Sequence, residues 1–305
     1  MNRKVLIAVG SAVVGLACLF GGDALGGPAK AVCRSGCAGI GYSTTNLSDA
    51  DTLHAAEQVL LRDCMVRAGF EYQITPASAV PDQRTFPYVI DDIAWAQRHG
   101  YGTDIQRSLT ALRAADPNQR YFHSLPAARR AAALVAANGA RPTGLVAKDP
   151  QGGVMTHSDQ GCQADVDREL YGDAQAWFQA KVTAQAMSPM KVERVTADSR
   201  FTTATAGWAG CMRSAGYHYD NPAKAREALP PPEKPLPFAG ERRMAVTEAQ
   251  CAVSSGLSAT AKALDTQYEL ELHRQYSHDL GIESALKQAA LPRARDVLSG
   301  TDHGF

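Results

Sequence analysis

The sequence predicts a mainly α-helical protein with small β elements, an α+β fold built on a duplicated helix–glycine–strand unit that disulfides staple together. Two observations support this prediction. Apolar residues recur at three- and four-residue steps in several segments, and alanine runs favour helix. Segments 64–72 and 211–219 share Cys, Met, Ala, Gly, an aromatic residue and a final Tyr at matching positions. Such self-similarity indicates a duplicated structural unit.

The composition limits the size of the fold and the class of partner. The chain has 305 residues, enough for one large domain or two of ordinary size. Its 31 basic residues balance 31 acidic residues, so the net charge gives no general attraction to nucleic acid or to anionic lipid. We therefore expect no nucleic-acid partner.

Residues 1–31 are organised as an export signal peptide. A basic head precedes an apolar and small-residue stretch over 5–20, and Ala29-Lys30-Ala31 offers a small-x-small cleavage site. The alternatives are lipidation at Cys18 and an uncleaved membrane anchor, and the protein would then meet a membrane only through this segment. Residues 32–47, rich in Gly, Ser and Thr, predict a flexible N-terminal loop.

The first unit begins with a helix. Ser48 is a suitable N-cap, and the apolar face that follows runs at helical spacing to Cys64. Gly69 fits the left-handed position that ends many helices. The alternating aromatic and polar residues of 70–74 predict a short strand.

The segment between the two units predicts further helices and one hairpin. Helices are expected over 88–99 and 109–115, and an alanine-rich helix is expected from Pro126 to Gly139. Residues 144–156 carry two apolar runs around an Asp-Pro-Gln-Gly-Gly turn, which is typical of a β-hairpin. Another helix is expected to follow Cys162.

The second unit repeats the order of the first. A helix reaches Cys211, Gly216 ends it, and residues 217–219 predict a strand. The proline-rich segment 230–237 predicts an extended loop. Residues 247–250 match a capping box, which predicts that a helix starts just before Cys251. Two more helices are then expected, over 257–272 and 281–300.

Removal of the signal peptide leaves six cysteines. An even number of cysteines in an exported chain predicts disulfides, here three. The duplication favours pairing the cysteine of each Cys-Met unit with the next cysteine along the chain. That gives Cys64–Cys162 and Cys211–Cys251, and leaves Cys33–Cys37. Metal ligation at the last pair is the alternative, but no second closely spaced pair accompanies it. We expect neither a metal nor a cofactor.

Few residues of the sequence suggest a catalytic site. No phosphate loop, dinucleotide fingerprint or His-Glu-x-x-His motif occurs in the sequence. Asp92 lies two helical turns before His99, so the carboxylate would orient the imidazole as a general base. His157 precedes Ser158 and Asp159, which are the residue types of a hydrolase triad, although adjacent residues do not converge by themselves. The alternative interpretation places these residues at helix ends and turns.

Aromatic residues are the candidates for ligand binding. Trp95, Tyr101, Trp208 and Tyr219 would line a carbohydrate or peptide groove. Packing in the core near the disulfides is the alternative interpretation of the same residues.

Several of these features together resemble a known group of proteins. The two Cys-Met units, segment 90–102 and segment 161–173 are similar to those of exported actinobacterial proteins with repeated Cys-Met-x-x-x-Gly-aromatic units. The resemblance spans most of residues 60–260. It implies an envelope or extracellular location, and it implies no activity, cofactor or site residue.

The expected organisation is two disulfide-closed modules. Residues 48–190 form the first, with a long insertion, and residues 191–305 form the second, with C-terminal helices. We expect a secreted or envelope-located, non-enzymatic binding or accessory protein with an envelope or extracellular partner. A secreted hydrolase with a His/carboxylate site and a scaffold subunit beside a membrane complex are the alternatives.

Overall fold

The fold is mainly helical, as predicted. A computed structural model describes residues 47–74, 80–231 and 234–300, and within them the chain forms 12 helices and one two-stranded sheet. The signal segment, residues 32–46 of the loop predicted over 32–47, and Cys18, Cys33 and Cys37 lie outside the described residues.

The helices and strands are numbered in chain order. The first half contains α1 Asp49–Arg67, α2 Ile93–His99, α3 Thr103–Ala115, α4 Pro117–Ser124, α5 Ala127–Asn138, β1 Gly144–Lys148 and β2 Val154–Ser158. The second half contains α6 Cys162–Tyr171, α7 Ala174–Ala197, α8 Ser199–Ser214, α9 Pro222–Glu227, α10 Phe238–Ser254, α11 Leu257–Gln275 and α12 Ser277–Ser299.

Two of the three predicted disulfides are present, and the third, Cys33–Cys37, lies outside the described residues. The first disulfide joins Cys64 at the end of α1 to Cys162 at the start of α6, and the second disulfide joins Cys211 on α8 to Cys251 on α10. The Cα atoms are 5.6 Å apart in each pair, a usual separation for a disulfide. The two crosslinks favour an oxidising, extracytoplasmic location.

The two Cys-Met segments end their helices in the same way. Gly69 and Gly216 both have positive φ, at 82° and 89°. The next residue then donates its backbone N–H to the carbonyl five residues back, from Phe70 to Met65 and from Tyr217 to Met212. This is the bond that closes a Schellman motif, and it explains why glycine stands at both positions.

The prediction of a strand after each of these glycines is wrong. Residues 71–74 and 217–219 have no strand partner in the described part of the chain. The backbone of Gln73 is instead paired with one side chain, because Asn118 accepts from its N–H at 2.8 Å and donates to its carbonyl at 2.8 Å. Side-chain pairing therefore replaces the expected strand ladder.

The predicted hairpin is confirmed and rests on α7. Strands β1 and β2 pair antiparallel, with Val146 opposite Thr156. On the other edge of β1, Gln175 accepts from the N–H of Val146 and donates to its carbonyl, and Gln179 does the same for Lys148. Two amides one helical turn apart thus occupy the backbone groups that a third strand would use.

Several helices differ from the prediction. Helix α3 begins at Thr103 rather than at residue 109, and α12 begins at Ser277 rather than at residue 281. Helix α2 begins at Ile93 rather than near residue 88, since the Asp92 carboxylate accepts from the N–H of Trp95 as an N-cap. Helix α4 was not predicted, although Asp116 caps it and Pro117 opens it. Helix α10 begins at Phe238, so the capping-box pattern lies inside the helix, and the Thr247 hydroxyl donates to the carbonyl of Arg243.

The core is divided into clusters, one of which joins the first helix to the last. It contains residues of α1, α6, α7 and α12: Leu53, Ala56, Val166, Leu170, Tyr171, Trp177, Ala290, Leu291 and Ala294. Helix α12 is also tied to the end of α6, because Arg293 donates to the carbonyl of Leu170 at 2.8 Å. This packing positions the cavity described next.

Candidate functional site

A cavity of about 640 Å³ opens where α1, α7 and α12 meet. Each helix contributes side chains at three- and four-residue steps, which place them on one face. Helix α12, for example, contributes Glu283, Lys287 and Leu291. The full lining consists of Asp49, Ala50, Leu53, His54, Glu57, Tyr171, Trp177, Lys181, Ala184, Gln185, Glu283, Lys287, Gln288 and Leu291.

Apolar and aromatic side chains form the floor of the cavity. Tyr171 and Trp177 are stacked, with ring centroids 3.7 Å apart and planes 11° apart. Leu53 and Leu291 belong to the same buried cluster. These rings sit in a close-packed core, so the floor is rigid.

Glu57 is the acidic group nearest this floor. The Tyr171 hydroxyl donates to Glu57 Oε1 at 2.5 Å, and His54 Nδ1 lies 3.8 Å from Oε2. Burial by itself would raise the pKa of Glu57, but the neighbouring His54, the hydrogen bond from the Tyr171 hydroxyl and the charge of Lys181 outweigh it and lower the pKa. Glu57 is therefore ionised at neutral pH, whereas burial raises the pKa of Tyr171 and keeps it a donor.

Charges of both signs surround the cavity. Lys181 Nζ lies 5.8 Å from the centroid of the Trp177 ring and 4.0 Å from Asp167 Oδ2. On α12, Lys287 pairs with Glu283 at 2.6 Å. Burial raises the pKa of Asp167. The cavity therefore combines an apolar floor with carboxylate and ammonium groups.

The described lining residues include no serine, threonine or cysteine. Among the described residues, no serine, threonine or cysteine side chain is therefore placed to act as a nucleophile in the cavity. The described residues also contain no group of three or more His, Cys, Asp or Glu side chains arranged to hold a metal ion.

The predicted catalytic residues lie elsewhere, and His99 does not contact Asp92. His99 is held between two other carboxylates, with Nδ1 2.8 Å from Asp104 and Nε2 3.1 Å from Asp82. Burial opposes protonation, but these two carboxylates raise the pKa of His99 above its ordinary value. Asp92 caps α2 and pairs with Arg84.

His157 has no carboxylate partner in the described structure. Its Nδ1 lies 2.8 Å from the carbonyl of Ser158, and its ring lies 5.7 Å from that of Phe178. The Ser158 hydroxyl accepts from the N–H of Gln160. Neither predicted histidine thus meets a carboxylate and a hydroxyl together.

The four aromatic candidates are also outside the cavity. Trp95 and Trp208 are buried in core clusters, with Trp208 fully inaccessible. Tyr101 and Tyr219 are partly buried against the cluster that contains Trp208. Packing accounts for these positions.

Two buried acids on α10 were missed in the sequence. Glu248 is inaccessible, accepts from the N–H of Ile90 at 3.0 Å and from the Tyr101 hydroxyl, and burial raises its pKa. Glu241 accepts from the N–H of Tyr101 at 2.8 Å and from the Thr103 hydroxyl at 2.9 Å. The only sequence signal is their spacing of seven residues, which places both on one helix face.

Comparisons with known proteins add no further assignment. No protein-family model, curated protein or solved structure matches the chain. Among the described helices, none combines the length and the apolar character needed to cross a bilayer.

Proposed function

We propose that this chain is an exported, disulfide-stabilised, non-enzymatic binding protein of the cell envelope that holds a small organic molecule between α1, α7 and α12. The observation that carries the proposal is the cavity of about 640 Å³. Ligand cavities in proteins commonly measure about 300–1,000 Å³ and combine an apolar lining with a few polar groups.

The chemistry of the wall supports a ligand with an apolar body and charges of both signs. The Tyr171–Trp177 stack and the neighbouring leucines provide the apolar surface. Ionised Glu57 suits a cationic group, and Lys181 suits an anionic one. Because the wall charges already pair with one another, a ligand of this kind would replace existing partners rather than leave a charge unpaired.

The described lining contains no serine, threonine or cysteine, which supports binding over hydrolysis through a nucleophile of those types. The two disulfides and the signal-like residues 1–31 support export, and cleavage after Ala31 would leave Val32 as the mature N-terminus. Amino-terminal sequencing of the protein from its native envelope or medium tests that step separately.

The binding proposal is tested by filling the cavity without removing any core side chain. Ala184 lines the cavity and is half-buried, so Ala184→Trp would occupy the space of the ligand. Ala114→Trp, on the exposed face of α3, is the matched control. Each purified variant is extracted and its small molecules are identified by mass spectrometry, with thermal unfolding as a check of folding.

We expect the same small molecule to accompany the wild-type protein and Ala114→Trp, and to be lost from folded Ala184→Trp. Retention of that molecule by Ala184→Trp at the wild-type amount would contradict the proposed site. A wild-type protein that carries no small molecule from its native envelope would contradict the proposed function.

A further inference from the structure

A second cavity, of about 600 Å³, lies where α2 and the end of α8 meet the middle of α10. It is separate from the first cavity and shares none of its lining residues. The lining consists of Gln97, Ala215, Tyr217, Arg242, Arg243, Val246 and Thr247. None of these lining residues is acidic, and the two arginines bring positive charge to the cavity wall.

Several donors around this cavity have no acceptor in the described structure, although the Arg242 guanidinium lies 5.9 Å from the centroid of the Phe238 ring. Neither Arg242 nor Arg243 forms an ion pair with a carboxylate of the described chain. The Gln97 amide and the Tyr217 hydroxyl likewise have no hydrogen-bond partner among the residues described. Two guanidinium groups, an amide and a phenol therefore face one space without an acceptor.

The arginines are not needed to cap the two helices that end here. The carbonyl of Ala96 in the last turn of α2 accepts from the N–H of Gly100, at 2.9 Å. The carbonyl of Met212 in α8 accepts from the N–H of Tyr217, also at 2.9 Å. Backbone groups thus satisfy these carbonyls, which leaves the guanidinium groups available to a ligand.

We propose that this second cavity binds a phosphate group carried on an organic molecule. Guanidinium groups match the paired oxygens of a phosphate and bind it through two parallel hydrogen bonds. Tyr217 and Val246, both half-buried, form an apolar side against which the organic part would pack. This site is independent of the binding function proposed for the first cavity.

Phenyl phosphate is the probe, because it combines the phosphate with an aromatic body. Inorganic phosphate and benzoate are the comparison ligands, and binding is measured by calorimetry with the intact protein. The site variant is Arg242→Gln with Arg243→Gln. The control is Arg107→Gln with Arg141→Gln, which removes the same charge from two exposed arginines that have no side-chain ion pair in the described structure.

Phenyl phosphate should bind the wild type more tightly than inorganic phosphate or benzoate does. Because one hydrogen bond to a charged group contributes about 1.5 kcal/mol or more, the site variant should bind phenyl phosphate at least about tenfold more weakly. The control variant, and Ala184→Trp in the first cavity, should bind it as the wild type does.

Three results would overturn the assignment. The first is that the wild type does not bind phenyl phosphate at millimolar concentration. The second is equal weakening in the site and control variants, which would show a general effect of net charge. The third is unchanged affinity in a folded site variant, which would place the bound molecule elsewhere.

Discussion

Gly100 joins α2 to the turn before α3, and the loss of stability caused by an added methyl group there follows from the structure. Its backbone has φ 60° and ψ −122°, a conformation that L residues rarely adopt. A Cβ atom at this position would lie 2.9 Å from Cγ and from Oε1 of Glu241. Gly100→Ala must therefore strain the backbone and also displace the Glu241 side chain.

The cost of this substitution follows from both effects. Backbone strain of this kind costs about 1–3 kcal/mol. Displacing Glu241 would weaken or break the hydrogen bonds that it accepts from the N–H of Tyr101 and from the Thr103 hydroxyl. Loss of one such bond lowers the free energy of unfolding by about 1.5–3 kcal/mol. We expect Gly100→Ala to lower the free energy of unfolding by about 2.5–6 kcal/mol. Gly216→Ala, at φ 89° with no atom within 4 Å of the new Cβ, should cost only about 1–2 kcal/mol.

Urea unfolding at pH 7 measures both values, and unchanged m-values would show that the unfolded state is the same. A double-mutant cycle with Glu241→Ala separates collision from strain, because removing the carboxylate should make Gly100→Ala less costly. Equal losses for Gly100→Ala and Gly216→Ala, or strict additivity with Glu241→Ala, would refute the reasoning.

Three further predictions concern the charged groups and the crosslinks. His99→Gln should lower the free energy of unfolding more at pH 5.5 than at pH 8.5 in urea unfolding. The raised pKa of His99 in the folded protein contributes stability that is lost as the pH rises through that pKa. A loss of stability that does not depend on pH would contradict this. Glu248→Gln should become less destabilising as the pH rises from about 4.5. The raised pKa of the buried Glu248 makes the wild type lose stability as the pH rises from the unfolded pKa towards the folded pKa. Urea unfolding across pH tests this, and a destabilisation that grows with pH would contradict it. Replacing both cysteines of the second disulfide by alanine should lower the free energy of unfolding by about 4 kcal/mol, because the crosslink closes a 40-residue separation. Thermal and urea unfolding measure this loss. An unchanged unfolding midpoint would show that this crosslink does not stabilise the fold.

Features that depend on nearby residues could be predicted from the sequence. Ser48 caps α1 through the N–H of Asp51, three residues away, and Gly69 ends the same region through its own backbone conformation. The hairpin likewise depends on the turn between its two strands. The pairing of Cys64 with Cys162 spans 98 residues and was predicted only because the sequence repeats the Cys-Met unit.

Features that depend on a distant partner were missed. Residues 70–74 have the alternation of a strand, but Asn118, 45 residues further along, supplies the partner for Gln73. The candidate cavity depends on contacts of the same kind, because Glu57 and Tyr171 are 114 residues apart. Neither residue is part of a recognisable motif, so only the packed helices identify them as neighbours.

The contact of the last helix with the first has a consequence for engineering the chain. Arg295 on α12 lies 3.4 Å from Asp49 at the start of α1, so the two ends of the described helical body are neighbours. A short linker between them would give a circular permutant whose new termini could be placed in an exposed loop. Deleting α12 would instead remove one wall of the larger cavity while leaving both described crosslinks in place.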